Sequence, residues 1–268
     1  MDIYYTIVLF VFGAVLGSFY NVVGYRLPKG ESLLFPSSHC TKCNHKLGAS
    51  ELVPIFSYLC LGGKCKSCGD RISAFYPIFE FASGLLFAIS YQIFGFSIEL
   101  AIALVFISAL LIIIISDYQT MIIPDEVLIF SSIVLMVLLF IANGWQPTLY
   151  SIGQGILAFL TMFLLKKFGD LLFHKESMGG GDIKLMFVFG LVLGYPMAII
   201  TIFVASFIAL PIAIYFTYKC RGQKYIDDDE IPEHSIPFGP FLAVSAILLL
   251  LTRIDFQFVI ELLTHSNI

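Results

Sequence analysis

Long uninterrupted apolar runs, separated by short polar or glycine- and proline-bearing breaks, set the pattern of this chain. Stretches such as Leu104 to Ile115 show no two-residue alternation, so they predict helices and exclude the alternating strands of a membrane β-barrel. Runs near or above the roughly 18–20 residues that cross about 30 Å of hydrocarbon recur along most of the length. The spacing predicts about eight spans, near 3–23, 75–94, 98–116, 124–142, 148–165, 183–194, 197–218 and 237–252. The sixth is short, carries Lys184 and has three glycines just before it. Gly194-Tyr195-Pro196 breaks what would otherwise be one very long run, and predicts a tight hairpin. The amino terminus, Met-Asp-Ile-Tyr-Tyr, lacks the basic region of a signal peptide, so it reads as a retained first span.

Composition agrees with a chain dissolved in lipid. Of 268 residues 59% are hydrophobic and only 13% charged, with a mean hydropathy of +0.93, more apolar surface than a soluble domain of this size hides. With the amino terminus outside, fourteen of the fifteen lysines and arginines fall on the cytoplasmic side, and only Arg253 lies outside. That partition supports an even number of spans. The expected fold is therefore an all-α polytopic membrane protein of about eight transmembrane helices with a small cytoplasmic domain. Its parts would be a first span (1–23), that cytoplasmic domain (24–74) and a membrane domain (75–268).

Residues 24–74 contain two Cys-x-x-Cys pairs, Cys40/Cys43 and Cys65/Cys68, separated by 21 residues, the arrangement that closes a tetrahedral Cys₄ zinc site. Gly62, Gly63 and Gly69 flank the second pair, where the backbone must turn sharply. Two disulfides are the competing reading, disfavoured in a reducing cytoplasm. His39 and His45 are alternative ligands, and the remaining Cys60 and Cys220 read as small buried hydrophobes. A Cys₄ site with no open position shapes a fold and does no chemistry. Nucleic acid is not an expected partner, because the net charge is −4 and the domain is tethered between two spans.

Carboxylates at a membrane boundary are costly, so Asp117, Asp125, Asp182 and Glu80 are the functional candidates. Asp117 ends the third span, where the helix dipole is unfavourable to a negative charge, and no structural role accounts for it. Asp125 follows Pro124 and Asp182 follows Gly179-Gly180-Gly181, so both can serve as helix caps. Three successive glycines do more than cap: they let another chain come close to the backbone. On the predicted topology Asp117 and Asp182 share one membrane depth. Two carboxyls close enough to share a proton can act as base and acid toward a water and a peptide bond, the chemistry of aspartic peptidases. Glu80 sits just inside the second span, where an intramembrane hydrogen bond is one account of it. The acidic run Asp227, Asp228, Asp229, Glu230 and Glu233 reads as a solvated loop or as a docking surface for a basic peptide.

Asp117-Tyr-Gln-Thr-Met-Ile-Ile-Pro-Asp125 with Gly179-Gly-Gly-Asp182-Ile-Lys-Leu resembles the paired signature of the Gly-x-Gly-Asp membrane aspartic peptidases that process type IV prepilins. Gly17-Ser-Phe-Tyr-Asn, Arg26-Leu-Pro, Pro36-Ser-Ser-His-Cys40, Tyr76-Pro77-Ile-Phe-Glu80 and Ile236-Pro-Phe-Gly-Pro240 extend the resemblance almost end to end. It departs at Ser38-His39, where a basic residue is common, and at Thr41, where proline is. The resemblance implies that Asp117 and Asp182 are the catalytic pair and that Asp125 supports them. It implies prepilin or pseudopilin substrates whose basic leader is removed at the cytoplasmic face of the inner membrane. It also implies N-methylation of the new terminus with S-adenosylmethionine, with Glu80 in the methylating half. No Gly-x-Gly-x-x-Gly pattern supports that second activity independently. A transporter or channel with a zinc-stabilised cytosolic domain is the alternative class, but it would be expected to place its carboxylates near the bilayer midplane.

Overall fold

The computed structural model describes residues 2–174, 178–219, 237–254 and 256. Nine α-helices occur among the described residues: α1 (Asp2–Arg26), α2 (Phe56–Cys60), α3 (Phe75–Phe94), α4 (Ile98–Thr120), α5 (Asp125–Asn143), α6 (Trp145–Phe173), α7 (Gly180–Leu193), α8 (Tyr195–Lys219) and α9 (Gly239–Thr252). All eight predicted spans coincide with helices. Six of these, α1, α3, α4, α5, α6 and α8, are long and apolar enough to cross a membrane, and the protein is a multi-pass membrane protein. The other two, α7 and α9, have 14 residues each, about 21 Å of helix, which is shorter than the hydrocarbon core. The acidic run and Cys220 lie outside the described residues.

Three helices outrun their predicted ends by three residues or more, α1 reaching Arg26. Beyond the predicted span 98–116, the polar Tyr118-Gln119-Thr120 forms a last turn of α4, held by the Thr120 hydroxyl donating to Ser116 O at 2.8 Å. Met121, at φ 54°, closes it by donating its N–H to Asp117 O. At the end of α6, Lys166, Lys167 and Asp170 continue the helix to Phe173 as a charged extension.

The chain forms two compact units, Met1–Ala142 and Asn143–Ile268, each described by itself over its described residues. In the first, α1 and α3 run antiparallel in close contact. A Cβ on Gly17 would lie 2.9 Å from Glu80 Cα, so glycine is required for the two backbones to approach. Packing of this kind replaces the hydrophobic drive that lipid cannot supply. The Ser83 hydroxyl donates to Gly13 O across the same seam at 2.7 Å. Helix α4 lies parallel to α1, with Tyr20 hydrogen-bonded to Ser108 at 2.6 Å and Gly24 against Ile115. The Phe75 ring stacks on Tyr118 with centroids 5.3 Å apart. The carboxyl ends of α1 and α4 therefore share one end of this bundle with the start of α3.

The second unit repeats the device. A Cβ on Gly190 of α7 would come within 2.7 Å of the α6 backbone at Gln154 and Gly155. Gly194, at φ 81°, is the single residue between α7 and α8, the hairpin expected there, and the Gln154 side chain accepts the Tyr195 N–H at 2.7 Å. The Ser245 hydroxyl ties α9 to Thr201 O of α8 at 3.0 Å.

Candidate functional site

The Cys-x-x-Cys pairs fold as two copies of one knuckle. In the first, Cys40 N–H donates to His45 O, Asn44 N–H donates to Cys40 O, and Asn44 takes φ 56°. In the second, Cys65 N–H donates to Asp70 O, Gly69 N–H donates to Cys65 O, and Gly69 takes φ 70°. The residue after each second cysteine must enter the left-handed region, and Asn and Gly are the residues that do so cheaply. A Lys42–Asp70 ion pair at 2.9 Å joins the copies.

The four sulfurs lie within 4.8 Å of one another, with Cys40–Cys68 and Cys43–Cys65 at 3.9 Å. A tetrahedron with zinc–sulfur distances of about 2.3 Å has edges of about 3.8 Å, so the cluster fits a zinc ion. The backbone N–H groups of Cys43 and Lys42 draw the Cys40 thiol down to about 6. The Asp70 N–H favours the Cys68 thiolate, but the Cys43, Cys65 and Cys40 sulfurs push that thiol up to about 12. Four clustered thiolates repel, and a dication at their centre is what allows all of them to ionise.

His45 instead pairs with Glu51 at 3.2 Å, and His39 Nδ1 meets Ser37 O at 2.9 Å, so neither histidine belongs to the sulfur cluster. All four cysteines are free thiols, which leaves the disulfide reading without support. Cys60 is exposed, contrary to expectation, because it lies on the outer side of the one-and-a-half-turn α2 beside Leu59.

Glu80 is buried to 8% exposure at the α1–α3 seam. Its Oε2 accepts the Ile55 N–H at 2.7 Å, and Ser18 of α1 lies near the same carboxylate. Asn21, one turn along α1, donates to Gly17 O at 3.1 Å and reaches Tyr76 O at 3.5 Å. Ile55 takes φ 63° and ψ −54°, a costly conformation for a β-branched residue, and it aims a backbone donor at Glu80. The hydrogen bond expected of Glu80 is thus present, and its donor is the N–H of a strained loop residue that no residue-type signal reveals.

Asp117 is 6% exposed in the last turn of α4, at the bundle end shared with Glu80 and the knuckles. Asp125 is the exposed first residue of α5, four residues beyond the Met121 cap. In the second unit Asp182, 8% exposed, lies in the first turn of α7. Gly179 has an ordinary extended conformation at φ −64° and ψ 144°, and a Cβ there would meet Asp182 Oδ2 at 3.7 Å, a normal contact. A Cβ on Gly180 meets nothing within 4 Å. Neither glycine is demanded by this chain's own backbone or packing.

An all-helical, multi-pass chain with a Cys₄ knuckle domain and buried carboxylates at helix ends defines a class of membrane protein. Similarity places it further. Residues 11–94 match the bacterial Peptidase A24 N-terminal domain, and residues 104–214 match the type IV leader peptidase family. The chain is 38% identical over 244 residues to a prepilin leader peptidase/N-methyltransferase of Bacillus subtilis, covering 90% of this chain and 92% of that one. Proteins of the same name from Stutzerimonas stutzeri (32% identical; 90% and 88% covered) and Neisseria gonorrhoeae (30%; 88% and 86%) are similar over comparable lengths. No solved structure matches. The chain belongs to the type IV leader peptidase family.

Proposed function

We propose that this protein removes the leader from prepilin-like substrates with Asp117 and Asp182, and then N-methylates the exposed amino terminus. The observation that carries the reading is the burial of one carboxylate in the last turn of α4 and another in the first turn of α7, in a chain of this family. The distribution of lysines and arginines along the sequence supports a cytoplasmic position for both aspartates. One carboxylate takes a proton from water as the water oxygen attacks the scissile carbonyl. The other hydrogen-bonds the carbonyl oxygen and protonates the departing amine as the C–N bond breaks. Gly179, Gly180 and Gly181 keep the approach to Asp182 clear for the substrate backbone, and Asp125 supports the loop that follows Asp117.

Zinc is assigned a structural role at Cys40, Cys43, Cys65 and Cys68. Lys42, Lys64 and Lys66 lie next to these ligands in the chain and offset the negative charge of a zinc tetrathiolate. S-adenosylmethionine supplies the methyl group of the second activity. The described residues contain no strand-to-helix glycine turn, so no holder for this donor is assigned. Glu80, tied to the knuckle domain through Ile55, is the carboxylate we place in the methylating half. The transporter reading loses its motive, since the buried carboxylates lie at helix ends in a peptidase family.

The test is purified protein in detergent with a synthetic peptide carrying a basic leader before an apolar segment, read by mass spectrometry. Cleavage at the leader boundary, then gain of one methyl group when S-adenosylmethionine is added, supports the reading. Intact peptide would overturn it. Topology is checked by labelling cysteines from outside: Asn143→Cys is reached and Glu31→Cys is not.

A further inference from the structure

We propose that residues 52–59, together with Leu34 and Phe35, form an interfacial anchor that seats the knuckle domain in the lipid leaflet at the carboxyl end of α1. The inference rests on the membrane-spanning fold and not on the peptidase reading. Its starting point is depth. Ile55 N–H is bound at 2.7 Å to Glu80, the sixth residue of α3. At 1.5 Å per residue, Glu80 lies about 7–8 Å inside the start of that span. The segment around Ile55 is therefore held beside a membrane helix and not above it.

That segment is apolar and uncovered. Phe56 is 68% exposed and Leu59 67%, and Leu52 and Val53 are exposed beside them. Helix α3 continues the same apolar character at this depth with exposed Ile78 and Phe81. On the α1 side the chain also folds back onto its helix. Glu31 N–H donates to Arg26 O, and the Arg26 guanidinium donates to Ser32 O at 3.1 Å. This holds Leu34 (79% exposed) and Phe35 (77%) within a few residues of the end of α1. At the same end Lys29 lies 3.4 Å over the Tyr25 ring, an aromatic–cation pair of the kind found at headgroup level. A loop that spanned only water would not place six large apolar side chains outward at the two points where it is tied to membrane helices. Their continuity with the lipid-facing side of α3 selects lipid as the occupant.

Trp145 is the only tryptophan of the chain, so the anchor can be read by fluorescence. In a Trp145→Phe background, Phe56→Trp reports the segment and Ser67→Trp reports the exposed second knuckle. Both full-length variants are reconstituted in phosphatidylcholine–phosphatidylglycerol vesicles with or without lipids brominated near the top of the acyl chains. The Phe56→Trp emission is expected to lie to the blue of Ser67→Trp and to lose about half its intensity to brominated lipid while resisting aqueous iodide. Ser67→Trp shows the reverse. Iodide quenching of Phe56→Trp equal to that of Ser67→Trp would overturn the proposal. Shielding from both quenchers would also overturn it by showing that protein covers the segment. Shielding that arises only after a prepilin-like peptide is added would assign the face to substrate instead. Retained zinc in each variant shows that the knuckles are folded.

Discussion

The last turn of α4 and the first turn of α7 hold carboxylates buried to nearly the same degree, yet the two surroundings differ in sign. Asp182 stands where free backbone N–H groups and the helix dipole welcome a negative charge, so local structure alone accounts for it. Asp117 stands among the last carbonyls of α4, where the same dipole opposes it. Asp117 is thus the carboxylate whose charge its own helix dipole does not favour.

This contrast is most directly broken by activity. Asp117→Asn and Asp182→Asn are each expected to lower cleavage by at least about 10³-fold, since one amide removes the exchange of acid and base roles. Cleavage by the unaltered protein should fall at both pH extremes, with apparent pKa values that belong to the pair. Normal turnover by either variant in the peptide assay would dissolve the pairing.

Next in size is Gly180→Ala. The backbone there has room for a Cβ. The variant should keep its melting temperature and still lose about tenfold in cleavage, because a small displacement of substrate at the reacting groups is costly. Lost stability without lost activity would show that the glycine serves the helix.

The knuckles provide a control on whether the two carboxylates act without the metal. Cys68→Ser should lose bound zinc, measured by elemental analysis, while cleavage stays within about tenfold and methylation falls further. Lowering the pH should release the metal from the unaltered protein, because protons compete for the thiolates as they are taken up.

The sharpest use of the contrast concerns stability. Removing the charge at Asp182 should cost about 0.3–1 kcal/mol, and removing it at Asp117 should be neutral or stabilising by a similar amount. Thermal unfolding of the two Asn variants reads the sign directly. Asp125→Asn, at an exposed helix start, should change cleavage by less than about threefold, since Asn serves a helix start nearly as well as Asp. Inactivation equal to that of Asp117→Asn would make it a member of the pair.

The eight helical segments were legible because apolar run length is a one-dimensional signal. So was the clustering of four cysteines that fits a metal ion, because the two Cys-x-x-Cys pairs recur in short, regular spacing. Other features were not legible, for physical reasons that differ from case to case. The extra turn of α4 depends on the Thr120 hydroxyl meeting a carbonyl in its own helix, and nothing in Tyr118-Gln119-Thr120 as residue types announces it. The hydrogen-bond donor to Glu80 is a backbone N–H, a group that every non-proline residue carries. The outward Cys60 was misread because burial in so short a helix depends on what packs above it.

The bond between Ile55 and Glu80 also orders events in time. Its donor is synthesised before its acceptor, and α1 is complete before either. At about 5–20 residues per second, the stretch 27–74 takes about 2–10 s to emerge, during which α1 has no α3 to pack against. The knuckles need only residues 38–71 and a metal ion, so they can close within that interval. Arrival of α3 then brings Glu80 to that loop, so the Ile55–Glu80 bond can join the knuckle domain to the α1–α3 pair before α4 and α5 have followed.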